Sequence, residues 1–280
     1  IILLHLKLKG EWRGTKKSVF DYKGTLLYML TLTLLMVGLS KVPEIAGYLF
    51  LAASIIAFIL FIRLEERTAD PLMEIGLFRK NRVFAFSNLA ALINYSATFG
   101  VGFLLSFYFQ YIKDMTPAEA GLVLVIQPVL MALFSPVTGR LSDRIQPQVL
   151  ASVGMVLMTV GLTMLAFAGK ETPMGYFYGV LSIMGVGFAL FSSPNTNAIM
   201  GSVDPTFYGV ASGSVGTMRM IGQMLSMGIV LILFSLLIGK TEITPQVHAP
   251  FLQSMRISFT LFAFFCFIGI FASIARGKVK

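Results

Sequence analysis

The sequence predicts an all-α, polytopic integral membrane protein with about eight transmembrane helices. Of its 280 residues, 56% are hydrophobic and only 12% are charged. A soluble domain carries about 25% Asp, Glu, Lys and Arg, so this chain has too little polar surface to fold as a water-soluble globule. Its apolar residues are also grouped into stretches close to the roughly 20 residues that cross a bilayer as a helix.

The predicted elements follow in order along the chain. The apolar-rich run at 1–6 is too short to span, and we interpret residues 1–20 as the end of a preceding helix and a cytoplasmic segment, which makes the sequence part of a longer protein. Two linker helices follow within 21–63, then a cytoplasmic amphipathic loop at 64–82 that lies on the membrane surface. A six-helix bundle at 83–275 and a cytoplasmic tail at 276–280 complete the chain. The eight predicted spans are 23–40, 45–62, 83–112, 119–138, 148–169, 174–200, 209–238 and 257–275.

Several helix starts carry a capping oxygen directly before a proline, where the missing N–H group costs nothing. These starts are Thr116-Pro117, Thr172-Pro173 and Asp204-Pro205. The first and third are also followed by a glycine four residues after the proline, and each opens the middle helix of a triplet. This spacing indicates two three-helix units of inverted topology.

The basic residues predict the orientation. Sixteen of the 22 Lys and Arg residues fall in the segments that are cytoplasmic if the C-terminal tail is cytoplasmic, and five fall in the opposite loops. The positive-inside rule therefore predicts that the protein lies in the cytoplasmic membrane with both ends of this segment on the cytoplasmic side. Four tyrosines agree, since they lie at the outer ends of their helices, where aromatic rings settle at the headgroups. They are Tyr108, Tyr111, Tyr176 and Tyr178.

Arg219 is the one charged residue predicted deep within a span, about 15 Å from the helix start at Gly209. It shares one helix face with small and polar residues, namely Gly209, Ser212, Gly213, Gly216 and Gln223. Two interpretations stay open. Either the face packs tightly on a neighbouring helix whose carbonyl groups accept hydrogen bonds from Arg219, or the face lines a cavity. We expect the glycines Gly209, Gly213 and Gly216 to serve helix packing in either case.

Two more polar residues reach the same depth. Asn94 lies about 16 Å inside its helix and Gln127 about 13 Å inside the next, counted from opposite sides. Asn195 belongs to a polar stretch nearer the cytoplasm, for which a solvated helix end is the simpler interpretation. Asn94, Gln127, Arg219, Gln223 and Asn195 are the polar candidates for a substrate cavity near the midplane.

Other functions find little support in the sequence. No Asp, Glu or His lies in the middle of a predicted span, so an acid–base membrane enzyme lacks its titratable groups. The single cysteine, Cys266, permits neither a disulfide nor a multi-cysteine metal site, and we expect no metal and no cofactor. No basic cluster is interleaved with stacking aromatic residues, so nucleic acid is not an expected partner. The spans 148–169 and 257–275 are apolar nearly all round and are predicted to face lipid, including Phe262.

The turn between the second and third helices of the bundle reads Gly139-Arg-Leu-Ser-Asp-Arg-Ile-Gln-Pro147. It resembles the loop signature of the major facilitator superfamily. Gly139 is expected to allow a tight turn, Asp143 to cap the next helix and Arg144 to bridge to a neighbouring acid or helix end. Further matches, from Asp21-Tyr-Lys-Gly24 to Arg219-Met-Ile-Gly222, resemble the fourteen-helix drug:proton antiporters of the EmrB/QacA type.

The resemblance implies that the chain is the C-terminal portion of such a transporter, comprising linker helices and the C-terminal six-helix bundle, without the N-terminal six-helix half. In this family the first and fourth helices of a half line the cavity, the second and fifth contact the other half, and the third and sixth face lipid. The implied activity is proton-coupled efflux of small hydrophobic or cationic compounds by alternating access. Phe99, Phe103, Met131 and Phe188 are candidate apolar contacts. A membrane scaffold or pseudo-transporter subunit that moves no substrate is the alternative.

Overall fold

The structure is a computed structural model that describes residues 20–69, 71–239 and 247–277. Ten α-helices account for nearly all of these residues. They are α1 (Tyr22–Lys41), α2 (Ile45–Glu65), α3 (Ile75–Lys80), α4 (Arg82–Tyr111), α5 (Pro117–Leu124), α6 (Ile126–Leu141), α7 (Pro147–Ala166), α8 (Met174–Gly201), α9 (Tyr208–Leu237) and α10 (His248–Ala275). A short 3-10 turn at Pro205–Phe207 leads into α9.

Eight helical segments are long and apolar enough to cross a membrane, which confirms the predicted all-α membrane fold. α5 and α6 together make one of these spans. The largest difference in bounds is at α10, which begins at His248 and not at residue 257. Arg256, predicted in an outer loop, therefore lies in this helix with its side chain exposed. The predicted helix end at 1–6 and the terminal basic residues Lys278 and Lys280 lie outside the described residues.

Proline explains the break between α5 and α6. The helix is interrupted at Val125, and Pro128 follows in the next turn. Proline has no N–H group to donate to the carbonyl of Leu124, four residues earlier, so the regular hydrogen-bond ladder stops there. Pro136 is accommodated inside α6.

Two of the three predicted helix starts are capped as expected. Thr116 and Glu119 form a capping box at the start of α5, and the Asp204 carboxylate accepts a hydrogen bond from the Thr206 N–H group. The prediction for Thr172 is wrong. Its hydroxyl instead accepts from the Gly169 N–H group in the preceding turn, at 2.9 Å, and α8 begins after Pro173 without a side-chain cap.

The six helices of the bundle pack in a symmetric pattern. α4 lies along α9, and α8 lies along α6, so the first helix of each triplet pairs with the middle helix of the other triplet. The third helices follow the same exchange: α7 packs on α8, α10 packs on α4, and α7 and α10 contact each other. Two three-helix units related by a pseudo-two-fold axis would produce these pairings.

α1 and α2 form a helical hairpin that touches the bundle through α1 and α9. The Tyr28 hydroxyl lies 3.0 Å from that of Thr217, and Leu39 packs directly on Gly228. α3 lies in the loop after the hairpin, where Leu77 and Phe78 pack on a small cluster that includes Phe84. These two side chains thus contact protein, whereas the sequence analysis placed this segment on the membrane surface.

The core lies between α4, α7, α8 and α10. Two residues that were predicted to face the lipid or its headgroups, Tyr108 and Phe262, belong to it. Tyr108 is fully buried, and its hydroxyl donates to the Gly169 carbonyl at 2.7 Å, so it is a core residue and not a headgroup contact. Phe262 of α10 is also fully buried. α7 and α10 do expose one side each, but their opposite sides form part of the core.

Candidate functional site

Arg219 lies in the middle of α9 with its side chain exposed. Its guanidinium carbon is 6.0 Å from the centroid of the Tyr95 ring of α4. Tyr95 in turn makes an edge contact with Phe188 of α8, at 5.6 Å between ring centroids. In the part of the chain that the structure describes, no carboxylate forms an ion pair with Arg219. The structure therefore brings one uncompensated cation and two aromatic rings together, on three different helices.

α9 has one packed side and one open side. On the packed side Gly222 lies so close to α4 that a Cβ would come within 2.7 Å of the Leu92 carbonyl oxygen, and the Ser226 hydroxyl accepts from the Gly100 N–H group at 2.9 Å. The predicted packing glycines do not carry this contact. At Gly209, Gly213 and Gly216 a Cβ would meet no described atom within 4 Å.

This result corrects the sequence analysis: those three glycines form an open strip of small residues that lies on no described helix of this chain. The close packing comes instead from Gly222, from Gly154 against Gly187, and from Gly185 against the Gln127 carbonyl. Helical periodicity places residues on a face, but it does not say what covers that face.

The open side of α9 continues a larger uncovered surface. In the most apolar window of Pro117–Leu141, which contains α5 and α6, only 11% of residues are buried, and in that of α9 only 22%. The corresponding share for α4 is 56%. α5, α6 and α9 are the middle helices of the two triplets, so the surface that they expose is the one where the resemblance expects the other half of a transporter.

Asn94 does not line a cavity. Its side chain is fully buried, and neither atom of its carboxamide has a hydrogen-bond partner among the described residues. Depth counting placed it at the right level but on the wrong side of α4. Gln127 is half-buried at the break between α5 and α6, next to Gly185 of α8.

Gln223 and Phe99 line a narrow apolar crevice of ≈250 Å³ between α1, α4 and α9. Three methionines of α9 share this lining: Met220, Met224 and Met227. Phe103 packs against the tilted rings of Phe107 and Phe234 towards the end of α4, with ring centroids 4.6 and 6.0 Å away, so it is less available to a substrate. Met131 is half-buried on α6.

Asn195 is also not a cavity residue, and it is not a solvated helix end. It is 2% exposed, its amide donates to the Ser87 carbonyl at 3.1 Å, and its Oδ1 atom accepts from Arg276 at 2.8 Å. Its role in the described structure is to join α8 to α4 and to the end of α10.

Arg276 is a residue that the sequence analysis missed, because it was counted only as one of the basic residues of the tail. Its side chain is 1% exposed, and its guanidinium also donates to the hydroxyls of Ser87 and Ser273 and to the carbonyl of Pro147. Arg276 thereby joins α4, α7, α8 and α10 at their predicted cytoplasmic ends. Burial lowers the pKa of the Arg276 guanidinium to about 10, so it remains charged at neutral pH.

The loop signature differs from its expected geometry. Gly139 lies inside α6, where its small size lets the Ser193 hydroxyl approach, so it makes no turn. α7 begins after Gln146 without a side-chain cap, so Asp143 does not cap it. Asp143 and Arg144 are both exposed.

Ser142 and Asn197 hold this loop instead. The Asn197 amide donates to the Ser142 hydroxyl at 2.7 Å, and that hydroxyl donates to the Gly139 carbonyl at 2.6 Å. Asp143 and Arg144 are left facing an open cleft of ≈470 Å³ with Tyr208 at the start of α9.

Comparison with known proteins adds a family and several relatives. The sequence pattern of the Major Facilitator Superfamily matches residues 23–227. The chain is 28% identical to the riboflavin transporter RibZ of Clostridioides difficile (strain 630), an alignment that covers 91% of this chain and 56% of RibZ. It is 28% identical to the tetracenomycin C resistance and export protein of Streptomyces glaucescens, over 79% of this chain and 42% of that protein.

A third relative is the multidrug resistance protein Stp of Mycobacterium tuberculosis (strain ATCC 25618 / H37Rv), 27% identical over 80% of this chain and 42% of Stp. The chain thus spans about half the length of the relatives it matches. Among solved structures, the nucleoside transporter NupG (D323A mutant) superimposes with a TM-score of 0.56 at 17% identity, covering 90% of this chain and 66% of NupG. This likeness supports the fold.

Proposed function

Because this chain belongs to the Major Facilitator Superfamily, we propose that it forms the C-terminal part of a small-molecule exporter that works by alternating access. The observation that carries the proposal is Arg219, an uncompensated cation in the middle of a membrane helix, on a surface that nothing in the described chain covers. A charge at that depth is costly in lipid and is tolerated where it faces a cavity or a partner. The relatives that export tetracenomycin C or confer multidrug resistance agree with this assignment.

In this proposal the bundle α4–α10 is one half of the transporter, and six further helices outside this chain form the other half. The exposed surface of α5, α6 and α9 is where the two halves would meet, with Tyr95, Phe188 and Arg219 facing the route between them. α1 and α2 would be linker helices, since the main contact of this hairpin with the bundle is made by α1 along α9. Both ends of the segment would be cytoplasmic, as the distribution of basic residues indicates.

The same surface bears on the substrate, for which small hydrophobic or cationic molecules are the expected class. The Tyr95 ring lies next to Arg219 and against the Phe188 ring, and the two rings favour the apolar body of a substrate through aromatic packing. A cationic group on that substrate would be repelled by Arg219 and would have to lie against the other half.

The proposal also includes coupling of export to protons. An antiporter that exchanges a substrate for protons needs a titratable group inside the membrane. Asp and Glu of this chain lie at the ends of its spans and in its loops. The coupling carboxylate would therefore come from the other half, as in the family that the sequence resembles.

Reconstitution tests the proposal directly. The full-length protein in proteoliposomes should move a hydrophobic dye when a pH gradient is imposed, and the flux should stop when a proton ionophore collapses the gradient. Empty liposomes and a protein with Arg219→Gln serve as controls for leakage and for the site. A panel of neutral and cationic dyes that shows no gradient-dependent flux would contradict the proposal.

A further inference from the structure

Two carboxyl groups meet at the base of the hairpin, and the proposed transport route does not use them. Asp21 immediately precedes α1, and Glu65 is the last residue of α2. Glu65 is 2% exposed, which is unusual because ionised carboxylates are almost never fully buried without a partner. The two residues belong to opposite ends of the hairpin sequence and come together where its helices begin and end.

Each carboxyl group has one satisfied oxygen. The Oδ1 atom of Asp21 accepts from the Gly24 N–H group at 2.9 Å, and the Oε2 atom of Glu65 accepts from the Met73 N–H group at 2.6 Å. The first bond caps α1, and the second attaches the following loop to the end of α2. Both bonds come from backbone donors, so neither supplies a positive charge.

The other oxygen of each group is buried and has no donor in the described structure. These atoms are Asp21 Oδ2 and Glu65 Oε1, and the two carboxyl groups lie within hydrogen-bond reach of each other. Two ionised oxygens are both acceptors and cannot bond to each other. A single proton placed between them would satisfy both at once, and buried carboxyl pairs share a proton for this reason.

Gly24 explains how the two oxygens come so close. A Cβ at this position would collide with both Asp21 Oδ2 and Glu65 Oε1. The spacing Asp21-x-x-Gly24 therefore has a geometric meaning: the aspartate caps the helix, and the glycine leaves room for the glutamate of the neighbouring helix.

No described basic group neutralises the pair. Lys23 on α1 and Arg63 on α2 have exposed side chains, as does Arg67 in the loop that follows. Arg79 of α3 is engaged by Glu66 at 2.6 Å. α9, which packs beside α1, brings no charged side chain to the adjoining cleft, and Glu74 of the loop adds a further acid there.

We propose that Asp21 and Glu65 form a proton-binding site that holds one shared proton between Asp21 Oδ2 and Glu65 Oε1. The proton comes from water in the open cleft of ≈680 Å³ that Asp21 lines, and its binding changes the charge of the pair from −2 to −1 without any other bond being made or broken. With the proton in place, the pair joins the start of α1, the end of α2 and the loop at Met73. Its release sets two negative charges against each other and loosens the base of the hairpin.

Infrared spectroscopy of the protein in nanodiscs tests the site, because a protonated carboxyl group has a C=O stretching band that a carboxylate lacks. At about pH 7 exposed Asp and Glu side chains are ionised, so we expect a band equivalent to one carboxylic acid per pair. Glu65→Gln and Asp21→Asn should each remove it, since either leaves a single carboxylate beside an amide donor. Glu66→Gln and Glu74→Gln are the matched controls and should retain it.

The same site predicts a change in accessibility that does not depend on the band. Cys266 is buried and is the only cysteine of the sequence, so a new cysteine can be labelled selectively. Relative to the exposed Leu72→Cys measured in parallel, labelling of Met73→Cys should rise at least about tenfold from about pH 6 to pH 9, as for a step controlled by one proton. In a Glu65→Gln background this ratio should not depend on pH.

Either of two results would overturn the proposal. One is a wild-type spectrum at neutral pH that matches those of folded Glu65→Gln and Asp21→Asn, which would mean that both carboxyl groups are ionised or that a metal cation occupies the pair. The other is a labelling ratio for Met73→Cys that has the same pH dependence in both backgrounds. Gly24→Ala, which places a methyl group between the two oxygens, should abolish the band as well, whereas Gly102→Ala, where a Cβ meets nothing within 4 Å, should not.

Discussion

Arg276 offers a sharp test of the bundle because the conservative substitution should be the more harmful one. The buried guanidinium donates to four acceptors on four helices and has no carboxylate partner among the described residues. Arg276→Lys keeps the charge but replaces a planar fork with a single ammonium group. Arg276→Met keeps much of the apolar stem and removes the charge.

The expected magnitudes follow from two terms. Lowering the pKa of the guanidinium from its ordinary value to about 10 corresponds to a penalty of about 3 kcal/mol for burying the charge, and this penalty applies in full at any pH below about 10. Arg276→Met relieves it but leaves Asn195 Oδ1 and the Pro147 carbonyl without donors, at about 1–3 kcal/mol each. The net change therefore lies between a gain of about 1 and a loss of about 3 kcal/mol, with a loss of about 1 kcal/mol at the middle of the range. Arg276→Lys keeps the penalty and still loses donors, for a net loss of about 3 kcal/mol.

Thermal unfolding in detergent measures both variants, and the buried Cys266 provides the signal. A maleimide dye that fluoresces on reaction reports the exposure of this cysteine on unfolding. At about 2–4 °C per kcal/mol for a chain of this size, Arg276→Lys should lower Tm by about 6–12 °C and Arg276→Met by about half as much or less. If Arg276→Lys unfolds at the wild-type Tm while Arg276→Met has a clearly lower Tm, the assignment of these hydrogen bonds is wrong.

Four further substitutions probe the helices around the site, each by thermal unfolding or labelling. Gly222→Val should cost at least about 1–3 kcal/mol because a Cβ there meets the backbone of α4. Gly213→Val, on the open strip, should lower Tm less, because a Cβ there meets no described atom of this chain; equal losses would contradict the two-sided description of α9. Asn94→Leu should raise the free energy of unfolding by about 1–3 kcal/mol, since it removes a buried amide that has no hydrogen-bond partner in the described structure. A fall in Tm would show that the Asn94 side chain does have a hydrogen-bond partner. Asp143→Asn should not change Tm, because this exposed residue caps no helix, but it should alter cysteine accessibility on the two faces of the full-length transporter; unchanged labelling would exclude a role in switching.

The positions of the helices were largely predictable because hydrophobic length alone determines them. All eight predicted spans appear, and the span predicted at 119–138 is made by α5 and α6 together. The start of α10 was placed nine residues late, since Arg256 and the polar residues before it were interpreted as a loop. An exposed arginine is compatible with a helix that extends to the membrane surface.

The surroundings of individual side chains were much less predictable. Counting residues gives depth, but only the packing of neighbouring helices decides which direction faces the core. Asn94 and Asn195 were therefore assigned to a cavity although both are buried. Arg276 was missed for a related reason: a charge count assigns a residue to one side of the membrane and cannot show that it folds back between four helices.

Arg219 tests the central claim most directly, because its contacts within this chain contribute little to stability. A cation–π contact at an exposed site contributes about 0.5–1 kcal/mol, so Arg219→Gln should fold and insert like the wild type. The measurement is dye flux in proteoliposomes, normalised to the amount of folded full-length protein, with Arg256→Gln as the matched exposed arginine. We predict that Arg219→Gln loses most of its flux at unchanged Tm while Arg256→Gln retains it. Wild-type flux in Arg219→Gln would contradict the claim that the open surface of α9 lines the route of the substrate.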